Sequence, residues 1–256
     1  VAAADAVQDI TAYDAVDSDY DIEDDASTLL STTGVDAVVD SGVDTVFVTD
    51  SSVDADTGAG LNALELSLQD VGGTDIEFTV TDTAGAVASE LSATGDELDE
   101  ANDVNVVGGT IDVAAADAVQ DITAYDAVDS GYVIEDSAGS VLGDTGTILD
   151  GGVAHVDVNS IASANVGVAL GNLEDALEAG YSSDISFTVS DDASAIAGVL
   201  AQGDELNNAD DVNVVGSTID VAEAAAVQDI TAYDADNSDY DIRDNASVIL
   251  SNVSTG

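Results

Sequence analysis

Three clusters of aspartate carry the side chains most able to do chemistry in this sequence. They comprise Asp14, Asp17, Asp19 and Asp21, then Asp126 and Asp129, and finally Asp234, Asp236, Asp239 and Asp241. Calcium takes about six to eight oxygen ligands, and loops dense in aspartate and backbone carbonyl groups supply them. The spacing therefore predicts calcium-binding loops, although the glycine and the distant glutamate of an EF-hand loop are missing. Solvated acidic loops are the alternative, and the sparser middle cluster is expected to bind most weakly.

A second set of aspartates ends short apolar segments that have the pattern of a β-strand. Its members are Asp24, Asp50, Asp82, Asp112, Asp136, Asp191, Asp220 and Asp244. An aspartate at this position caps the N-terminus of a following helix and interacts favourably with the helix dipole. If the segments stack roughly 5 Å apart, their carboxylates repel one another and favour bound cations. Helix capping is the expected role, a ladder of bound cations is the alternative, and the two are compatible.

The inventory for catalysis is poor, and we expect no catalytic residues and no enzyme. The chain has no cysteine, one histidine (His155) and one cationic side chain (Arg243). A nucleophile–base–acid triad needs a matched set that this sequence lacks. Pairs of carboxylates could serve a glycosidase, but such pairs arise by chance in a chain this acidic. Calcium is thus the one cofactor expected.

Charge decides which partners are possible. The formal net charge of -53 excludes nucleic acid and anionic membranes, because both require a basic surface. Such a charge opposes compaction unless cations offset it, so divalent cations are the expected partners. The chain is nevertheless 45% hydrophobic, with patterned apolar runs and no proline, which favours a folded protein. The composition is typical of secreted or halophilic proteins, so we expect an extracellular or cell-surface location.

Internal repetition sets the domain organisation. The segment Val1–Ser18 recurs unchanged at Val113–Ser130 and, with changes, at Val221–Ser238. A period of about 110 residues follows, which divides the chain into a first repeat at 1–112, a second at 113–220 and a partial third at 221–256. Because the chain begins within a repeat, we expect it to be a segment of something longer.

A shorter period of about 27 residues lies inside the long one. Each short repeat alternates apolar and polar residues as a strand does, and then continues with helix-forming residues spaced three and four apart. Successive strand–helix segments require parallel strands joined by right-handed crossovers. We therefore predict an α/β repeat fold, a right-handed β/α solenoid of about nine strand–helix coils with a parallel sheet. The alternative is two small α/β domains of about 110 residues each.

One pattern resembles a known class of protein. A strand followed by V-x-D-x-A-x-x-[IVL] occurs at Tyr20–Leu30, Phe78–Leu91, Phe187–Leu200 and Tyr240–Leu250. These segments are paired with Val104–Val119 or Val212–Val227. Together they resemble repeats of giant secreted bacterial surface proteins, namely adhesins, surface-layer-like proteins and hemolysin-type extracellular proteins. The resemblance implies an extracellular structural or adhesive role, often with calcium, although no G-G-x-G-x-D array is present.

Self-association is the expected mode of action. Neither end carries a polar capping repeat, and uncapped solenoids expose an apolar layer that tends to stack end to end. We expect a homopolymer that assembles head to tail into a filament or surface layer, stabilised by divalent cations. The alternatives are a stalk segment of a giant calcium-dependent adhesin and a soluble binding domain from a halophile.

Overall fold

A computed structural model describes residues 1–8, 20–39, 42–69, 75–94, 98–200 and 205–253. These residues form an α/β structure whose strands pair in parallel. The chain divides into two compact units, Val1–Tyr132 and Val133–Gly256. We use "coil" below for one strand together with the helical segment that follows it.

The first unit builds two groups of parallel strands. Its elements are α1 (Ala2–Gln8), β1 (Tyr20–Asp24), α2 (Ala26–Leu29), α3 (Thr32–Val38), β2 (Val43–Val48), α4 (Ala55–Gln69), β3 (Asp75–Glu77), β4 (Thr79–Asp82), α5 (Ala84–Thr94), β5 (Asp103–Ile111) and α6 (Val113–Gln120). Strand β2 lies between β1 and β3, and β4 pairs with β5. Only the buried Phe78 separates β3 from β4, so one extended segment changes partners at this residue.

The second unit repeats this arrangement. Strand β6 (Gly131–Asp136) contains the boundary between the units, and the later elements are α7 (Ala138–Gly143), α8 (Thr145–Ile148), β7 (Val153–Val158), α9 (Ala164–Tyr181), β8 (Asp184–Ser186), β9 (Thr188–Asp191), α10 (Ala193–Leu200), a 3-10 turn (Glu205–Asn208), β10 (Asp211–Ile219), α11 (Val221–Gln228), β11 (Asp239–Ile242) and α12 (Ala246–Val253). Strand β7 pairs with β8, and β10 lies between β9 and β11. Phe187 separates β8 from β9 as Phe78 separates β3 from β4.

Small apolar side chains fill the core of each unit, because the strands alternate buried and exposed positions. Val46, Val80 and Val104 in the first unit and Val156 and Val189 in the second have no exposed surface. The predicted helix positions Ala116, Val119, Ala193, Ile196 and Val199 are buried as well. The patterned small residues thus place the helices directly on the strands.

The long helices α4 and α9 approach the strands closely through one glycine each. A Cβ added at Gly58 would lie 2.6 Å from Val80 Cγ2, and one added at Gly167 would lie 2.5 Å from Val189 Cγ2. Both distances are shorter than side-chain packing tolerates. Glycine is therefore needed at the same position of both repeats.

Strands β5 and β10 each bend at a pair of residues with positive φ. The pair is Gly108 (φ 73°) and Gly109 (φ 90°) in β5, and Gly216 (φ 70°) and Ser217 (φ 72°) in β10. The register between β10 and β11 shifts at this point, between Val215 and Thr218, as expected at a β-bulge.

The predicted α/β class and the parallel strand pairing are confirmed. The division into two compact units fits the alternative of small α/β domains, while the continuous solenoid stays a prediction. In the described part of the chain, no helix is both long enough and apolar enough to span a membrane.

Candidate functional site

The aspartates that end the strands use their two carboxylate oxygens for different partners. In Asp82 and Asp191, Oδ1 accepts a hydrogen bond from the next backbone amide, at 2.7 Å and 2.8 Å. The second oxygen, Oδ2, accepts from the first amide of the helix in the preceding coil. Each of these aspartates therefore joins two successive coils.

This second contact recurs at the start of four helices, and we call the four contacts the inter-coil caps. Ala26 N donates to Asp50 at 2.8 Å, Ala55 N to Asp82 at 3.1 Å, Ala138 N to Ser160 at 2.9 Å and Ala164 N to Asp191 at 2.9 Å. The acceptors lie 22 to 27 residues after the donors, which is one coil. Ser160 occupies the position of Asp50 in the second repeat, so a neutral hydroxyl can fill the same place.

The predicted local cap is correct for only some of these residues. Asp112 and Asp220 do cap the helix that follows them, accepting from Ala115 N and Glu223 N at 2.8 Å each. For Asp24 and Asp136 the prediction is wrong by one residue, because the N-caps of α2 and α7 are Asp25 and Ser137. The helix starts one residue later there, and Oδ1 of each strand-end aspartate accepts from the next backbone amide, at 3.0 Å in Asp24 and 2.6 Å in Asp136.

A second series of side-chain contacts also joins successive coils. Thr123 N donates to Asp99 Oδ1 and Thr231 N to Asn207 Oδ1, in each case across 24 residues. Val106 N and Val214 N donate in the same way to Ser130 and Ser238. These pairs occupy equivalent positions of the two repeats. Sequence reasoning missed them, although their recurrence at one coil's spacing is visible in the sequence.

Of the predicted calcium loops, the structure describes two and part of the third. Asp14, Asp17 and Asp19 lie outside the described residues, and Asp21 is exposed on β1. Asp126 Oδ1 accepts from Val128 N at 2.7 Å, and Asp129 is exposed. Asp234 Oδ1 accepts from Asp236 N at 2.8 Å, and that bond together with Asn237 lowers the pKa of Asp234. These two carboxylates therefore each stabilise a turn.

The remaining predicted ligands, Asp236, Asp239 and Asp241, are exposed. Within the described ranges, no three acidic, histidine or cysteine side chains converge closely enough to hold a metal ion. Calcium binding by these clusters stays a prediction.

Two glutamates lie where the helix pattern calls for an apolar residue. Glu65 on α4 is 4% exposed and Glu174 on α9 is 8% exposed, and Oε2 of each has no hydrogen-bond partner among the described residues. They occupy equivalent positions of the two repeats. Sequence reasoning missed them, although each follows a leucine on the buried face of its helix.

The side chain of His155 lies between two aspartates at the surface of the strands. Its Nδ1 lies 2.8 Å from Asp184 Oδ1, and its Nε2 lies 2.9 Å from Asp157 Oδ1. Partial burial lowers the pKa of His155, but the hydrogen bonds and charges of the two aspartates outweigh burial and raise it overall. His155 lies on β7, and its ring is partly buried.

The last described coil presents an apolar groove of about 450 Å³, lined by α11, β11 and α12. Ile242 on β11 is 46% exposed, whereas the equivalent Ile22 and Ile134 are 2% and 0% exposed. Leu250 on α12 is 69% exposed. The same repeat position is thus buried twice and exposed once.

Comparison with known proteins adds little. No protein-family model matches the chain, and no curated protein matches it. One solved structure, the carboxyl transferase domain of pyruvate carboxylase from Rhizobium etli with oxalate, aligns at 11% identity and a TM-score of 0.21. The alignment covers 77% of this chain and 40% of that one. A similarity at this level supports no functional argument.

Proposed function

We propose that the chain is a structural repeat protein, built as a β/α solenoid and assembling head to tail into an extracellular filament or surface layer. The observation that carries the proposal is the set of inter-coil caps. At four helix starts, a side chain 22 to 27 residues later in the chain holds the helix to the next coil. Hydrogen bonds between successive coils are typical of a repeat protein with a structural role.

The occupant we assign to the groove of the last coil is a second copy of this chain. A head-to-tail contact would place the first coil of one copy, with its groove of about 320 Å³ beside Val1, Ala4 and Ile22, against β11 of another. The contact is heterologous and does not close, so it propagates as a filament. Divalent cations would reduce the repulsion between copies that the net charge of -53 creates.

The test compares two equally exposed apolar residues. Leu250→Asp changes the groove, and Ile161→Asp changes a residue that is 72% exposed in the turn after β7. Sedimentation velocity and negative-stain microscopy are run with calcium and with EGTA. We expect polymers of the parent chain and of Ile161→Asp in calcium, and their loss in Leu250→Asp. A parent chain that stays monomeric in both conditions would show that the self-assembly proposal is wrong.

A stalk segment of a calcium-dependent adhesin is the second candidate, because the same inter-coil caps would serve a monomeric spacer equally well. A parent chain that is folded, rigid and monomeric in calcium would favour this candidate.

A further inference from the structure

The buried glutamates Glu65 and Glu174 suggest a function that does not depend on self-assembly. On α4, Leu61, Leu64 and Leu68 are buried and form an apolar stripe with Glu65 in its middle. On α9, Leu170, Leu173 and Leu177 surround Glu174 in the same pattern. Spacings of three and four residues put all of these side chains on the face that packs against the strands. A carboxyl group therefore replaces an apolar residue at the same core position of both repeats.

Neither carboxyl group has the partners that an ionised group requires. The backbone amide of Ile76 and the side chain of Gln69 both donate to Glu65, but its Oε2 remains buried without a partner among the described residues. Oε2 of Glu174 is in the same situation. A buried carboxylate needs several hydrogen bonds or a counter-charge, and without them the neutral acid is favoured.

The charged groups around each site are all acidic, apart from one histidine. Glu65 faces Asp75 on β3 and Glu100 in the turn before β5. Glu174 faces Asp175 and Glu178 on its own helix, Asp184 on β8 and Asp210 before β10. Ionisation would add a negative charge to an already negative environment in both units.

We propose that Glu65 and Glu174 are a duplicated proton switch, in which each long helix packs fully on its strands when its glutamic acid is protonated and loosens when it ionises. Burial first, and the nearby carboxylates second, raise the pKa of Glu65 to about 7 and that of Glu174 to about 7. The unfolded chain has the ordinary value of 4.5. The stabilising effect of protonation is therefore complete below about pH 4.5 and is lost as the pH rises to about 7.

The two sites differ in one respect that provides an internal comparison. Asp184 beside Glu174 is hydrogen-bonded to His155, whereas Asp75 beside Glu65 pairs in register with Thr45. A protonated His155 offsets part of the negative charge near Glu174. Replacing it by the residue of the other repeat, His155→Thr, should move the titration of Glu174 to higher pH and leave that of Glu65 unchanged.

The experiment follows the glutamate side-chain carboxyl signals of the ¹³C-labelled full chain by NMR between pH 4 and 8. Glu65→Gln and Glu174→Gln assign the two signals, and Glu77→Gln, at an exposed position of β3, is the matched control. We expect two carboxyl groups to titrate about two pH units above the others. Each buried-site Gln variant should leave the unfolding equilibrium unchanged at pH 4 and shift it toward the folded state by up to about 300-fold at pH 8.

Hydrogen exchange provides a readout that does not depend on the variants. After correction for intrinsic rates, the amides of α4 and α9 should lose protection between pH 5 and 8, while those of α5 and α10 should not. Carboxyl groups of Glu65 and Glu174 that titrate near pH 4.5 in the folded chain would overturn the proposal. Equal changes in protection across all four helices would overturn it too.

Discussion

Asp191 should hold helix α9 in place more strongly than any residue of that helix's own N-terminus. The local N-cap, Ser163, makes no side-chain cap bond, and Ala164, the first residue of the helix, is fully buried. Asp191 Oδ2 accepts from Ala164 N at 2.9 Å. Asp191→Ala therefore leaves a buried amide without a partner.

The expected loss follows from these contacts. An orphaned buried amide costs about 1–3 kcal/mol, and the lost charge at the positive end of the helix dipole adds about 0.3–1 kcal/mol. We expect Asp191→Ala to lower the free energy of unfolding by about 2–4 kcal/mol. Asp191→Asn can keep the bond from Ala164 N but loses the charge and the bond from the exposed Asp192 N, so it should cost less than Asp191→Ala, about 1–2 kcal/mol.

Urea unfolding measures the loss, and hydrogen exchange at the Ala164 amide locates it. Asp192→Ala is the matched control, because Asp192 caps only its own helix by accepting from Ala195 N at 2.9 Å. The loss in the control should be smaller, and exchange at Ala164 should not change. If Asp192→Ala lowers the free energy of unfolding as much as Asp191→Ala does, the inter-coil caps do not specifically stabilise the contact between coils.

Three further predictions concern backbone, packing and metal. Ser217→Gly should raise the free energy of unfolding by about 1 kcal/mol, because glycine adopts the positive φ of 72° that costs serine energy, and thermal melts would measure this. Gly167→Ala should lower it by about 1–3 kcal/mol through overpacking against Val189, whereas Gly198→Ala, with open space around it, should be neutral or stabilising. If the acidic loops bind calcium, isothermal titration should detect binding that Asp234→Asn with Asp236→Asn weakens and Asp126→Asn weakens less. Heats identical in all variants would contradict those ligands.

The sequence was sufficient to predict the fold class because its signals are local. Period-two alternation marks strands such as β6, where Tyr132 and Ile134 are buried and the residues between them are less so. Parallel pairing followed from the succession of strands and helices. The division of the chain into two compact units was not predictable. A repeat pattern in a sequence is the same whether the repeats form one unit or two.

The chemistry of the aspartates was harder to predict because it depends on contacts between coils. The sequence places Asp50, Asp82 and Asp191 at strand ends, but a cap supplied to the preceding helix depends on how the coils stack. Glu65 and Glu174 were missed for another reason. They are two of 54 acidic residues, and only their burial distinguishes them from the rest.

The inter-coil caps also relate the completion of each capped helix to the order of synthesis. The helix beginning at Ala26 is capped by a residue 24 positions later, and the helix beginning at Ala164 by one 27 positions later. During synthesis from the N-terminus, each of these helices is therefore completed only after the next strand has emerged from the ribosome. For these helices the N-terminal partner therefore becomes available one coil later than the helix itself.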